Sequence, residues 1–330
     1  MLSFDTTIFF AMLSHHQQFF LEVEMWRVFS IVLFLAFTFG GCQPGIEEHL
    51  KNGTAKCEKG DHKGAIADFT LAIEADPQAD SAYLKRGLCR KHLKEYKEAL
   101  QDFGKAIELN PKSSEAYFQM GYCHDMLKNY EAALENYDKA IQLNPEDQDA
   151  YYNRGKIKHE QRKHQEAIND FTRSIELDPG HDDAFFSRAY CKYALNDLPG
   201  ALEDYNKSIE LNPKRSVAFY NRGILKHDMG NYNEAIEDYT KSIELDAGYK
   251  SAWYNRGISK YSLKDYTSAL SDFNKAVELD PKAADAWERR GSCKQKLDDL
   301  TGACDDWTKA VELGDTIAQE KIERYCLEGN

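Results

Sequence analysis

From Ile46 onward, apolar and polar residues fall into two short helical registers, stop, and then begin the same pattern again. The stretch from Asp80 to Ser113 shows the unit. Apolar residues at Tyr83, Leu84, Leu88 and Leu93 share one helical stripe, and after the polar break Lys94 to Glu95 a second stripe runs through Ala99, Leu100, Phe103, Ala106, Ile107 and Leu109. Pro111 lacks an amide donor and biases Asn110 away from helical backbone, so the second helix is predicted to end there. Each unit therefore reads as helix, turn, helix, stop.

The unit returns with a period of 34 residues. A small residue stands at Gly53, Gly87, Gly121, Gly155, Ala189, Gly223, Gly257 and Gly291, and a ring sixteen residues later at Phe69, Phe103, Tyr137, Phe171, Tyr205, Tyr239, Phe273 and Trp307. Small is predicted to face large, so that the two helices of a copy interlock. The break falls at Pro77, Pro111, Pro145, Pro179, Pro213 and Pro281, with Ala247 and Asp315 in the two remaining copies. Eight copies at constant spacing over residues 46–317 resemble the tetratricopeptide repeat family. The resemblance implies an all-α, right-handed α-solenoid of eight repeats (46–79, 80–113, 114–147, 148–181, 182–215, 216–249, 250–283 and 284–317) with a C-terminal capping helix over 318–330. It also implies a protein that binds protein or peptide partners, with no cofactor.

Internal covariation adds one contact. Arg86, Arg154, Arg188, Arg222, Arg256 and Arg290 each precede the small residue, and Asp102, Asp170, Asp204, Asp238, Asp272 and Asp306 follow sixteen residues on; the third copy has Met120 and Asn136 instead. Loss of acid together with base predicts an ion pair between the helices of a repeat. The first copy, Asn52 with Asp68, departs from the rule.

Before the repeats, Arg27, the apolar run Val28 to Phe39, and Gly40 and Gly41 directly ahead of Cys42 form a secretory signal pattern over 25–41. It resembles a bacterial lipoprotein signal. That likeness implies lipidation of Cys42, with 42–45 as anchor and linker, and Gln43 resembles the signal of lipoproteins sent on to the outer membrane. The protein is accordingly expected at the cell envelope, facing the periplasm. An ordinary signal peptide or an uncleaved anchor is the competing reading. Residues 1–24 fit no part of the scheme; a start at Met25 would account for them.

A formal charge of −13 argues against nucleic acid as a partner, because phosphate binding needs clustered Lys and Arg. Of eight cysteines, Cys89, Cys123, Cys191 and Cys293 share one repeat position and read as small core residues. Copies of that position should lie one helix-packing distance apart, ~8–10 Å, too far for a disulfide, so reduced thiols are expected. No cysteine has metal-ligand spacing to a histidine along the chain, and no metal is expected. Nor does any nucleophile turn or glycine-rich phosphate loop occur, which argues against an enzyme.

The remaining pattern is a second stripe on the first helix of each copy, aromatic where an outward stripe is ordinarily charged. It comprises Phe118, Tyr122, Tyr152, Phe186, Tyr190, Tyr193, Tyr220, Tyr254 and Tyr261. In the resembling family this face lines a concave groove that binds peptides. The same rings can instead pack only on the first helix of the next repeat. Asn153, Asn221 and Asn255 fall where some family members carry an asparagine ladder that grips a peptide backbone, interrupted here by Gln119 and Ser187. The Lys and Asn clamp of the chaperone-binding members is absent. Two functions follow as expectations: a lipid-anchored envelope scaffold that aids complex assembly, or a soluble intracellular adaptor or co-chaperone.

Overall fold

The structure, a computed structural model, describes residues 45–326. The signal segment, Cys42 and residues 327–330 lie outside the described residues. Those described form helices α1 (Ile46–Glu58), α2 (His62–Ala75), α3 (Asp80–His92), α4 (Tyr96–Leu109), α5 (Ser114–Met126), α6 (Tyr130–Leu143), α7 (Gln148–Glu160), α8 (His164–Leu177) and α9 (Asp182–Ala194). They continue with α10 (Leu198–Leu211), α11 (Ser216–Asp228), α12 (Tyr232–Leu245), α13 (Lys250–Ser262), α14 (Tyr266–Leu279), α15 (Ala284–Lys296), α16 (Leu300–Glu312) and α17 (Thr316–Tyr325), with no strand among them.

The chain divides into two compact units at Glu95 and Tyr96. In the first, α1 packs on α2 and α2 on α3. In the second, every helix from α4 to α17 packs on the next, and the first helices of successive repeats also touch, α5 on α7, α7 on α9, and so on to α15. The protein is therefore all-α, built from neighbouring helix pairs.

Close approach within a pair depends on the small residue. A Cβ placed on Gly223 would sit 2.7 Å from the Tyr239 ring, and on Gly155 2.8 Å from Phe171, so a larger side chain would force the helices apart. The opposing rings are buried, Tyr137, Phe171 and Trp307 at 0% exposure. Ala189 shows that one methyl is tolerated in the fifth copy, where it packs beside Tyr205 in the same core cluster.

The covarying pair is present and larger than the sequence indicated. Arg222 donates from Nε and Nη2 to the two carboxylate oxygens of Asp238 at 2.9 and 2.5 Å, and Lys226 reaches the same carboxylate at 3.0 Å. The remaining Arg222 nitrogen, Nη1, donates to Asn206 of the preceding repeat at 2.8 Å. Arg154, Arg188, Arg256 and Arg290 repeat the arrangement, with Nη1 on Asp138, Thr172, Thr240 and Asn274. Each of these arginines thus joins three helices. Asp238 is 3% exposed, so its charge is tolerable only because two cations and a forked geometry meet it. In the third copy Met120, His124 and Asn136 replace the whole set, and the Asn136 amide turns back to the Ala132 carbonyl at 2.8 Å. The exceptional first copy is explained by Lys56, which pairs with Asp68 at 2.8 Å where Asn52 cannot.

Turns between paired helices require left-handed backbone in every copy. Gly60 and Gly230 (φ +80° each) and Asn196 (φ +64°) are residue types that tolerate it, but Lys94, Lys128, Arg162, Lys264 and Asp298 adopt φ of 61–64° at the equivalent position without that freedom. The last helix, α17, places Ala318 in the core with Trp307, while Ile317 is 57% exposed.

The cysteines correct one expectation. Cys57 and Cys89 form a disulfide with Cα atoms 6.8 Å apart, and Cys304 and Cys326 another at 6.0 Å. Cys89 does not bond to a cysteine at its own repeat position; its partner lies 32 residues earlier, at the end of α1. Cys191 and Cys293 are free and buried, and Cys123 is buried as well.

Two stability predictions follow from the ion triad and the turn. Asp238→Asn leaves Arg222 and Lys226 without their anion and is expected to cost about 3 kcal/mol, whereas Arg222→Met, Lys226→His and Asp238→Asn together should cost less than the sum of the three singles. Chemical denaturation of the set measures the coupling; strict additivity would mean the three groups do not act as a unit. Lys264→Gly removes left-handed strain and should raise the unfolding free energy by about 0.5–1 kcal/mol, read from the same transitions.

Candidate partner-binding strip

The stripe residues all lie on first helices of the second unit, and their helical spacing turns them to one side of α5, α7, α9, α11 and α13. The leading ring of each copy is half-buried against the core ring of its own second helix. Centroids lie 5.8 Å apart for Phe118 and Tyr137, Tyr152 and Phe171, Phe186 and Tyr205, and Tyr254 and Phe273, and 6.0 Å apart for Tyr220 and Tyr239. These are tilted or edge-to-face contacts of the favourable kind.

The other edge of several rings is covered by the residue that precedes the next repeat. His181 lies 4.6 Å from Tyr152, Tyr249 lies 4.7 Å from Tyr220, and the Arg215 guanidinium sits 4.1 Å above Phe186. Sequence reading missed these three residues. Their signal was a repeat position that holds Ser113, Asp147 and Ala283 in other copies and is large in these three.

One turn further along the helix, the second stripe position is open in α9. Tyr190 is 42% exposed and touches His159 edge-on at 5.0 Å. The Tyr193 hydroxyl donates to Asp228, and Tyr261 packs on Tyr266 at 5.1 Å. Tyr122 is half-buried beside the buried Cys123. In the last copy Glu288 replaces the leading ring and is buried against Ser292 and Lys321 of α17, so the aromatic series ends there.

The three asparagines do not behave alike. Asn153 and Asn221 donate to the carbonyls of Asp149 and Val217 in their own helices at 2.9 and 3.0 Å, whereas Asn255 donates to the Tyr220 hydroxyl at 2.9 Å. Asn255 thus ties two repeats together at the strip.

Burial sets the electrostatics. It pushes the phenols of Tyr254 and Tyr193 up to about 12, aided by Asp285 in the first and by the hydrogen bond to Asp228 in the second, and it raises Tyr220 as well. Burial also lowers His159 and His227. Around neutral pH these tyrosines keep their protons and these imidazoles are uncharged. The strip offers aromatic faces and O–H donors with little charge of its own.

Comparison with known proteins fits this geometry. The family profile described as tetratricopeptide repeat matches residues 81–113, 114–147, 149–181, 216–249 and 251–283. Among solved structures, the chain is similar to YrrB, described as a TPR protein with an unusual peptide-binding site, at 26% identity and a TM-score of 0.51, covering 56% of this chain and 95% of that one. It also shares its fold with the C-terminal part of a TPR repeat-containing protein from Cytophaga hutchinsonii, at 17% identity and a TM-score of 0.62, covering 73% and 98%. No curated protein matches. With the period, the glycine-to-ring contact and the family profile falling on the same residues, this chain belongs to the tetratricopeptide repeat family.

Proposed function

We propose that the protein is a non-catalytic scaffold, held at the cell envelope by lipid on Cys42, that grips an extended or helical segment of a partner protein along the strip from Phe118 to Tyr261. Tetratricopeptide repeats are protein-interaction modules, and the partner in this reading is a protein or peptide, not nucleic acid. The observation that carries the reading is Tyr190, a large ring left 42% exposed within a series whose other rings are half-buried. Such a ring, rimmed by neutral phenols, is the kind of anchor that a partner side chain or backbone buries. Similarity to YrrB, whose peptide-binding site is part of its description, supports the same use.

Two disulfides support an oxidising compartment, since cytosolic thiols are ordinarily kept reduced. No helix among the described residues is long and apolar enough to cross a membrane, so attachment in this reading rests on Cys42. Several acyl chains hold a protein at a bilayer where one does not, at ~0.8 kcal/mol per buried methylene.

The strip prediction is differential. Tyr190→Ala should change unfolding free energy by under about 1 kcal/mol yet weaken partner capture roughly thirtyfold, near 2 kcal/mol. Tyr254→Ala, which opens a void beside Phe273, should instead cost about 3 kcal/mol of stability. Retained capture by a folded Tyr190→Ala chain would remove the strip from consideration. For the anchor, Cys42→Ser is expected to move the protein from the membrane to the soluble fraction, with an acylated Cys42 found by mass spectrometry of the wild type. An unmodified N terminus and a soluble wild type would favour an intracellular adaptor.

A further inference from the structure

The end of α7, the start of α8 and the middle of α9 bring His159, His164 and Cys191 together, though 27 residues separate the last two in sequence. Nδ1 of His159 lies 3.4 Å from Nδ1 of His164 and 3.4 Å from Sγ of Cys191, and all three ligand atoms fall within 4.8 Å of one another. We propose that these three side chains bind a zinc-like divalent ion, with the fourth tetrahedral position open to water.

Three observations carry the assignment. The first is metric: bonds of ~2.05 Å to nitrogen and ~2.3 Å to sulfur at tetrahedral angles put ligand atoms ~3.3–3.6 Å apart, which is the spacing observed around His159. The second is hydrogen-bond arithmetic. A ring nitrogen carries either one proton or one lone pair, so Nδ1 of His159 can serve only one of its two neighbours by a hydrogen bond, whereas a shared ion serves both. The third is the repeat itself. Cys57, His62 and Cys89 occupy the equivalent positions, three periods of 34 earlier, and their ligand atoms also fall within 4.8 Å. Histidine fills the middle position only in these two copies. In both, a cysteine follows 27 residues later and a cysteine or histidine precedes by five; the other copies hold Tyr96, Tyr130, Leu198, Tyr232, Tyr266 and Leu300 there.

Ring packing alone explains the site less well. His227 on Tyr232 and Tyr261 on Tyr266 fill the same place with centroids 4.9 and 5.1 Å apart, so a tyrosine at the middle position satisfies packing. Only the two exceptional copies substitute a nitrogen donor facing a sulfur. Two imidazoles and a thiolate suit zinc and metals of similar softness. In the first triad the sulfurs of Cys57 and Cys89 are joined to each other, which leaves the second triad as the one with a thiol to offer.

The test uses the full chain, stripped of metal and kept non-reducing. Zn²⁺ is titrated against a chromophoric chelator, and Co²⁺ serves as the spectroscopic probe. One equivalent should bind, with the thiolate-to-metal and ligand-field bands of a tetrahedral cobalt site. His164→Tyr restores the residue of four other copies and should fold by circular dichroism, yet weaken Zn²⁺ binding by more than the ~10–100-fold that loss of an outer-shell partner costs. Cys191→Leu, the residue of the copy at Leu225, should abolish the thiolate band. His62→Tyr should change neither. A wild type that binds no Zn²⁺, equal binding by His164→Tyr, or equal loss in His62→Tyr would each overturn the assignment.

Discussion

The contact on which the repeats depend is the close approach of their two helices, permitted by a missing or minimal side chain opposite a buried ring. Arg222 is the neighbour of Gly223 and Asp238 the neighbour of Tyr239, so bringing glycine onto tyrosine also brings guanidinium onto carboxylate. Steric fit and charge pairing are therefore one event. Because the arginine's third nitrogen reaches the preceding repeat, the same residue also aligns successive copies, and a nearly dry carboxylate is left with no unmet charge. Where the third copy drops the charges, it drops all three, as buried electrostatics demands: a single orphaned member would cost more than the set contributes.

Much of this fold was legible because a repeat supplies its own alignment. The glycine, ring and break positions, and the covariation of arginine with aspartate, could be read from one chain. The lysine of the triad was not, although Lys158, Lys192, Lys226, Lys260 and Lys294 stand four residues after the arginine, because lysine is common on solvated helix faces and only the packed helix pair shows it reaching the arginine's carboxylate. The turns were half legible for a different reason. Glycine and asparagine announce left-handed backbone, whereas lysine conceals it, and only the rigid geometry of the neighbouring helices imposes it there.

The strip was legible as a pattern and ambiguous as a site. On an isolated helix, Tyr152 and Tyr220 point to solvent; the fold puts His181 and Tyr249 over them, residues that cap the first helix of the following repeat from a position that looks like linker. Burial by a residue at the far end of the copy cannot be seen from spacing within one helix. What survives as open surface is a smaller set than the sequence stripe, centred on Tyr190, and the tyrosines around it divide their faces between core and solvent.

The cysteines show the same limit from the other side. Comparing like positions of successive copies considers only Cys89 and its equivalents and says nothing of Cys57, which sits at another position and meets Cys89 across 32 residues. The offset that builds this disulfide is the offset that sets His159 against Cys191. A period of 34 thus creates a second, hidden neighbour relation at 32, between the end of one first helix and the middle of the next. Residues that must meet for chemistry exploit that relation without disturbing the period. In such an array the repeated positions maintain the fold, and the departures from repetition, Tyr190, His164 and the third copy's uncharged set, are where one repeat becomes chemically different from its neighbours.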